Sequence, residues 1–394
     1  MSFSFNLARL PRVIFGAGCI AELPDLAARY GSRILLVTGG TSFLAGPHWP
    51  GLAAALAARS ISHQLIRVAG EPSPEFVDAC VRQHAQDAID CVLGIGGGSA
   101  LDAAKAIAGL LKPGNSVMDH LEGVGPELPY AGPATPFIAV PTTAGTGSEA
   151  TRNAVLSVHG TNGFKKSFRD ERLVAEYALI DPDLLASCPP DVLAANGMDA
   201  FTQLLESCVS SKANPFTEAL AFSGIERVRD ALLPLFTGQG DAASQRADMA
   251  YAALLSGITL AQVGLGSVHG LAAPLGAFFP IPHGVVCGTL VAEATRVNIR
   301  ALLARDPSNP ALARYARIGC LLSRRTLDDE AALIALVDTL EHWTRQLQFP
   351  RLGAYQVTES DIPRIVANSR GSSMKTNPVE LTDDEIASLV RARL

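Results

Sequence analysis

The stretch GMDAFTQLLES, residues 197–207, sets a carboxylate and a carboxamide four residues apart, Asp199 and Gln203, within a run rich in Ala, Phe, Leu and Glu. Such a run favours helix, and on a helix positions i and i+4 lie one turn apart on the same face. Both side chains can then reach one object. A divalent cation is a suitable one, because carboxylate oxygen is a strong donor to it and a neutral glutamine carbonyl a weaker one. The competing reading makes Asp199, near a helix start, a cap.

Two loops carry a different chemistry. In GIGGGSALDAAKAIA, residues 94–108, an apolar strand runs into Gly96, Gly97, Gly98 and Ser99 and a helix follows at once. Glycines let the backbone approach a ligand, and the unpaired N–H groups of a helix start bind phosphate. The spacing is not GxGxxG, so a tight turn competes. Asp102, three residues past Ser99, completes a capping-box-like spacing, and Lys105 is placed to pair with it; scaffold and site remain equal readings for both. In PTTAGTGSEAT, residues 141–151, a second strand gives way to threonine, serine and glycine. Hydroxyls and amides there suit a nucleotide, and an ST-rich turn is the plain alternative.

The elements that must position these groups follow from periodicity. Short β-branched runs (RILLVT at 33–38, HQLIRV at 63–68, DCVLGI at 90–95, PFIAVP at 136–141) alternate with Ala-rich helical stretches at 51–60 and about 99–111. That alternation predicts βαβ units around a parallel sheet. Phosphate-friendly loops at the C-terminal ends of parallel strands are where doubly wound sheets bind ligands, and two of them favour a dinucleotide. Beyond residue 190 the segments are longer, Ala- and Leu-rich and nearly free of strand-like runs. The expected organisation is a Rossmann-like α/β domain over 1–184 and an all-helical domain over 185–394, packed with a ligand cleft between them.

Composition bounds the rest. Of 394 residues, 48% are hydrophobic and 18% charged, and the net charge is −6 with no Lys/Arg run, which argues against disorder and against nucleic acid. A small-molecule partner is expected. The N-terminus lacks a signal-peptide pattern and no apolar stretch is long enough to span a membrane, so a cytoplasmic location is expected. The seven cysteines are scattered and never in a CxxC pair, which points to neither disulfides nor a thiolate metal site. Most read as small buried hydrophobes.

Six blocks occur in order: GGGSALDAAKA, PTTAGTGSEAT, YALIDPDLL (177–185), GMDAFTQLLES, GSVHGLAAPLGAFFPIPHG (266–284) and SMKTNPVELT (373–382). Together they resemble the iron-containing (group III) alcohol dehydrogenases from about Pro11 to the C-terminus. The resemblance implies the dehydroquinate synthase-like architecture of that family, which agrees with the pattern above. It implies NAD or NADP held by Gly97, Gly98, Ser99, Thr142, Thr143 and Ser148, with Asp102 beside them and Lys166 near the ribose. Gly39 stands where many NAD-preferring members carry an aspartate that repels a 2′-phosphate. Without that carboxylate NADP is expected to be accepted, with NAD still open.

The resemblance also implies a divalent metal, Fe²⁺ or Zn²⁺, held by Asp199, His269 and His283, with Gln203 where the family usually has a fourth ligand, a histidine. A glutamine lowers the expected affinity. Taken singly, His269 reads equally as a buried histidine and His283 as a turn residue. Ala273 replaces a second imidazole linked to proton relay, so water or a ribose hydroxyl is the expected proton source. The implied function is an NAD(P)-dependent alcohol dehydrogenase or aldehyde reductase, in which the metal acts as Lewis acid toward the substrate oxygen and nicotinamide C4 exchanges hydride. Asp199, His269 and His283 are its catalytic candidates. The alternatives are a metal-independent oxo-acid reductase similar to maleylacetate reductase and a non-catalytic nucleotide-binding relative. The family commonly forms homodimers or larger homo-oligomers.

Overall fold

The computed structural model describes residues 4–160 and 162–394. Two compact units emerge: an α/β unit of Ala8–Val158 and Lys165–Pro189, and a helical unit of Pro190–Leu394 with His159–Phe164 and the described residues up to Leu7.

The α/β unit runs β1 (Arg12–Phe15), α1 (Leu23–Ala28), β2 (Arg33–Thr38), α2 (Ser42–Ala45), α3 (His48–Ala58), β3 (Ser62–Arg67), α4 (Pro74–His84), β4 (Cys91–Gly96), α5 (Gly98–Leu110), β5 (Phe137–Pro141), β6 (Asn153–Val158), β7 (Phe164–Arg169) and β8 (Tyr177–Ile180). Six strands form one sheet in the order β1-β8-β5-β4-β2-β3, and its five strand pairs are all parallel. Strands covered on both faces need unbroken apolar runs, and β4 and β5 are buried at every position. From β2 the chain steps outward to β3 and then returns to the other side of β2 at β4, so the strand order reverses between β2 and β4. Gly39 follows β2 and the GGGS loop follows β4, which places both at this switch point.

Two expectations change in this unit. Gly97, not Ser99, is the cap of α5, and no side chain bonds there. Ser99 lies inside the helix, so Asp102 completes no capping box. Strands β6 and β7 form a separate two-stranded sheet that the sequence reading did not anticipate.

The helical unit contains α6 (Pro190–Val209), α7 (Pro215–Phe236), α8 (Ala242–Val263), α9 (Ser267–Phe278), α10 (His283–Arg305), α11 (Pro310–Ser323), α12 (Asp329–Gln346), α13 (Ile362–Ala367) and α14 (Asp383–Arg391). Starts are well specified: Asn214 builds a capping box at α7 with Pro215 next, and Thr382 with Glu385 builds another at α14. Helix α6 is buried from Gly197 through Val209, including Asp199, Gln203 and Glu206. Three polar side chains on one buried helix need partners, and their partners define the site. Among the described residues no single helix is long and apolar enough to cross a membrane.

Candidate metal centre and nucleotide loops

Three helices of the helical unit bring the polar groups together. Helix α6 presents Asp199, Gln203 and Glu206, spaced i, i+4 and i+7 along one face; α9 presents His269 near its start; α10 begins at His283 and carries Cys287 one turn later. Asp199 Oδ1 lies 3.2 Å from His269 Nε2, 3.6 Å from His283 Nε2 and 3.4 Å from Cys287 Sγ, and Cys287 Sγ lies 3.7 Å from His269 Nε2. One donor atom from each of Asp199, His269, His283 and Cys287 falls within 4.8 Å of all the others.

Glu206 orients the cluster. Its carboxylate accepts the Nδ1 proton of His269 at 2.6 Å and the backbone N–H groups of Gly266 (3.0 Å) and Val268 (2.6 Å), so one side chain both caps α9 and fixes the imidazole. Gly266 is required here, since a Cβ would come within 3.0 Å of Glu206 Oε1 and 2.8 Å of Asn377 Oδ1. Asn377, in the last of the six blocks, accepts the Ser267 N–H at 3.0 Å and donates to Asn298 at 2.8 Å. Thr376 donates to the Leu265 carbonyl at 2.6 Å. These bonds secure the start of α9 and with it His269. On the opposite wall, a Cβ on Gly284 would meet the Ala195 carbonyl oxygen at 2.3 Å. Only a glycine lets α10 lie close enough to α6 for His283 to reach Asp199.

Charge in this pocket is sharply biased. Burial opposes ionisation of Asp199, yet the neighbouring His283 and His269 and the Gln203 bond outweigh it and bring its carboxyl to about 2. Burial likewise opposes a charged His269, but the Cys287 sulfur and the Glu206 and Asp199 carboxylates hold its pKa well above 6.5. Burial pushes the Cys287 thiol up to about 12, with His269 pulling the other way. With Nδ1–H donated to Glu206, the Nε2 lone pair of His269 faces an ionised carboxylate oxygen at 3.2 Å. Two electron-pair donors at that distance require a cation between them, a proton or a metal ion. The residues present therefore fit a divalent ion.

Gln203 lies in this cluster with its carbonyl turned elsewhere. Its Nε2 donates to Asp199 Oδ1 at 3.1 Å, and its Oε1 accepts from Ser256 at 2.9 Å. Ala273 is one turn beyond His269 on α9. The sequence reading missed Glu206 and Cys287, although Glu206 stands in the stretch that drew attention and Cys287 follows His283 by one helical turn.

In the α/β unit the two loops pack directly on each other. A Cβ on Gly97 would meet Thr143 Oγ1 at 3.2 Å, and one on Gly98 would meet Thr146 Cγ2 at 2.6 Å. The Thr142 N–H donates to the Gly96 carbonyl at 2.9 Å. Asp102 and Lys105 are both buried and bind the second loop: Ser148 Oγ donates to Asp102 at 2.6 Å, while Lys105 Nζ donates to Ser148 O and Oγ, Thr151 Oγ1 and Asn153 O at 2.6–3.0 Å. The Ser148 hydroxyl is thus engaged on both sides. Lys166 sits on β7 with its ammonium 3.2 Å from where a Cβ on Gly123 would be. The first N–H groups of α5 carry no side-chain cap, and a Cβ at Gly39 would meet nothing within 4 Å.

Comparisons with known proteins identify the family. Residues 11–182 match the profile of the iron-containing alcohol dehydrogenases, and residues 193–394 that of the C-terminal region of the Fe-containing alcohol dehydrogenase family. The chain is similar to alcohol dehydrogenase 4 of Schizosaccharomyces pombe, with 32% identity over 396 residues covering 99% of this chain and 88% of that protein. It is also similar to the 1-propanol dehydrogenase PduQ of Citrobacter freundii, with 36% identity over 297 residues covering 73% of this chain and 74% of that protein. A crystal structure of 1,3-propanediol oxidoreductase superposes with a TM-score of 0.89 at 26% identity, covering 100% of both chains. The chain belongs to the iron-containing alcohol dehydrogenase family.

Proposed function

We propose that this chain is an NAD(P)-dependent alcohol dehydrogenase or aldehyde reductase acting on small alcohols and aldehydes, the class to which 1-propanol and 1,3-propanediol belong. The observation that carries the metal part is the convergence of one donor atom from each of Asp199, His269, His283 and Cys287 within 4.8 Å of one another, with Glu206 on the other ring nitrogen of His269. Asp199, His269 and His283 would hold the ion. When bound, the divalent ion supplies Lewis acidity toward the substrate oxygen and the dinucleotide exchanges hydride with the carbon. The chain's own residues do the placing. Gly97 and Gly98 give the pyrophosphate access to the uncapped N–H groups of α5, beside Ser99, Thr142 and Thr143. Asp102 and Lys105 hold Ser148 and the second loop in register. Lys166 offers a cation to the ribose, and Gly39 leaves room for a 2′-phosphate, which supports acceptance of NADP beside NAD. A cytoplasmic homodimer or larger homo-oligomer completes the proposal.

The test is elemental analysis of protein purified anaerobically without chelator, together with NADH- and NADPH-dependent reduction of aliphatic aldehydes. The expected result is a metal-to-subunit ratio near one, turnover, and loss of turnover on chelation that added ion restores. Turnover that persists without metal would favour an oxo-acid reductase of the maleylacetate reductase kind. Absence of turnover with every carbonyl compound would leave a nucleotide-binding protein.

A further inference from the structure

We propose that Cys287 is the fourth protein donor of the metal centre, so that the ion is held by Asp199, His269, His283 and a thiolate, while Gln203 steadies Asp199 from outside the ligand set. This inference rests on the reading of the cluster as a metal site given above.

Four observations carry it. Tetrahedral coordination with metal–nitrogen and metal–oxygen lengths of about 2.0–2.1 Å and a metal–sulfur length of about 2.3 Å requires donor separations of about 3.3 Å between N and O and about 3.6 Å where sulfur is one partner. The separations found are 3.2 and 3.6 Å from Asp199 to the two histidines, 3.4 Å from Asp199 to Cys287 and 3.7 Å from Cys287 to His269. Four of the six separations that such an ion would need are thus met, and the two between His283 and the His269 and Cys287 donors lie within 4.8 Å.

Helix register supplies the second. His283 and Cys287 are i and i+4 on α10, so the helix that delivers one donor delivers the other to the same place. The third is the orientation of Gln203, which turns Nε2 to Asp199 and its carbonyl to Ser256. Flipping the amide would set its oxygen against an ionised carboxylate. The last is charge. A divalent ion with one carboxylate, one thiolate and two neutral imidazoles is a neutral unit, so the ion offsets both anionic donors and leaves Glu206, held by two backbone N–H groups and His269, as the remaining charge of the pocket.

Binding exchanges a proton for a bond: the metal–sulfur bond forms as the S–H bond breaks, and the proton leaves to solvent. A thiolate is a softer donor than imidazole or carboxamide and moves the preference of the site toward Zn²⁺ and Co²⁺.

The test is anaerobic titration of chelator-stripped protein with Co²⁺, followed by absorption. The expected result is one Co²⁺ per subunit with the visible bands of tetrahedral cobalt and a near-ultraviolet sulfur-to-cobalt charge-transfer band. Cys287→Ser should abolish the charge-transfer band and weaken Co²⁺ by at least about tenfold, the low end of what loss of even an outer partner costs. Gln203→Leu should keep the band. The other six cysteines lie outside the cluster, so the band in the unaltered protein tests the inference even if a variant fails to fold. Stoichiometric Co²⁺ without the band, or a band that survives Cys287→Ser, overturns the thiolate and leaves the metal reading standing. Failure to bind any Co²⁺ overturns both.

Discussion

Glu206 is not one of the clustered donors, yet three bonds converge on it, from His269 Nδ1 and the Gly266 and Val268 amides. In Glu206→Gln the oxygen can still accept, but the amide nitrogen is set against N–H donors and the charge that raises imidazole basicity is gone. Metal affinity should fall roughly 10- to 100-fold, measured by competition with a chromogenic chelator. An affinity equal to the unaltered protein would show that Glu206 only caps α9. Glu206 was readable in principle, since it stands at i+7 from Asp199 on the same helix face. It passed unremarked because a glutamate in an Ala/Leu-rich helix reads as a solvated residue until burial is known. Cys287 escaped for another reason: cysteines were judged by their spacing from one another, and the relevant spacing was from His283.

At the level of elements, the site depends on how closely α10 approaches α6. In Gly284→Ala the new methyl would lie 2.3 Å from the Ala195 carbonyl oxygen, a backbone atom that cannot rotate away. Helix α10 should shift, costing about 1–3 kcal/mol in stability and withdrawing His283 and Cys287 together from Asp199. Thermal melting and Co²⁺ titration of the variant check both. Unchanged metal affinity in a folded Gly284→Ala protein would show that the helices have slack. Elements with a strong period were legible before the structure: β2 occupies the residues its apolar run predicts, 33–38, and β4 and β5 fall within one residue of theirs. The β6–β7 pair was not, because FKKSFR is half-buried without alternation and carries lysines where a buried strand would carry valine, and the alternation of NAVLSV lasts only four residues. The same limit hid the purpose of Asp102 and Lys105, whose partners lie more than 40 residues away in sequence.

For the molecule as a whole, the α/β unit carries a pH-dependent liability. Burial raises the Glu149 carboxyl from 4.5 to about 7, against its own backbone N–H and Lys105, while burial lowers Lys105 from 10.5 to about 8. A raised carboxyl contributes stability that is complete below pH 4.5 and lost as pH rises through about 7. A depressed lysine contributes stability that is complete above pH 10.5 and lost as pH falls through about 8. Glu149→Gln removes the first dependence and, by taking away a carboxylate that raises Lys105, lowers the lysine further, which acts in the same direction between pH 5 and pH 8. The variant should therefore gain over the unaltered protein on going from pH 5 to pH 8, by about 1–3 kcal/mol, read as a difference in denaturation midpoint. A gain that is the same at both pH values would mean that the Glu149 carboxyl ionises as readily in the fold as in the unfolded chain.

Asn377 holds the Ser267 amide, 110 residues earlier in the chain. A ribosome has therefore made Asp199, His269, His283 and Cys287 long before it makes the residue that clamps the start of α9. A nascent chain stalled short of Asn377 owns every proposed donor and the Glu206 cap, but not the bond that holds the Ser267 amide. A chain cut before Asn377 is accordingly expected to hold the proposed ion more weakly than the whole chain, by roughly 10- to 100-fold.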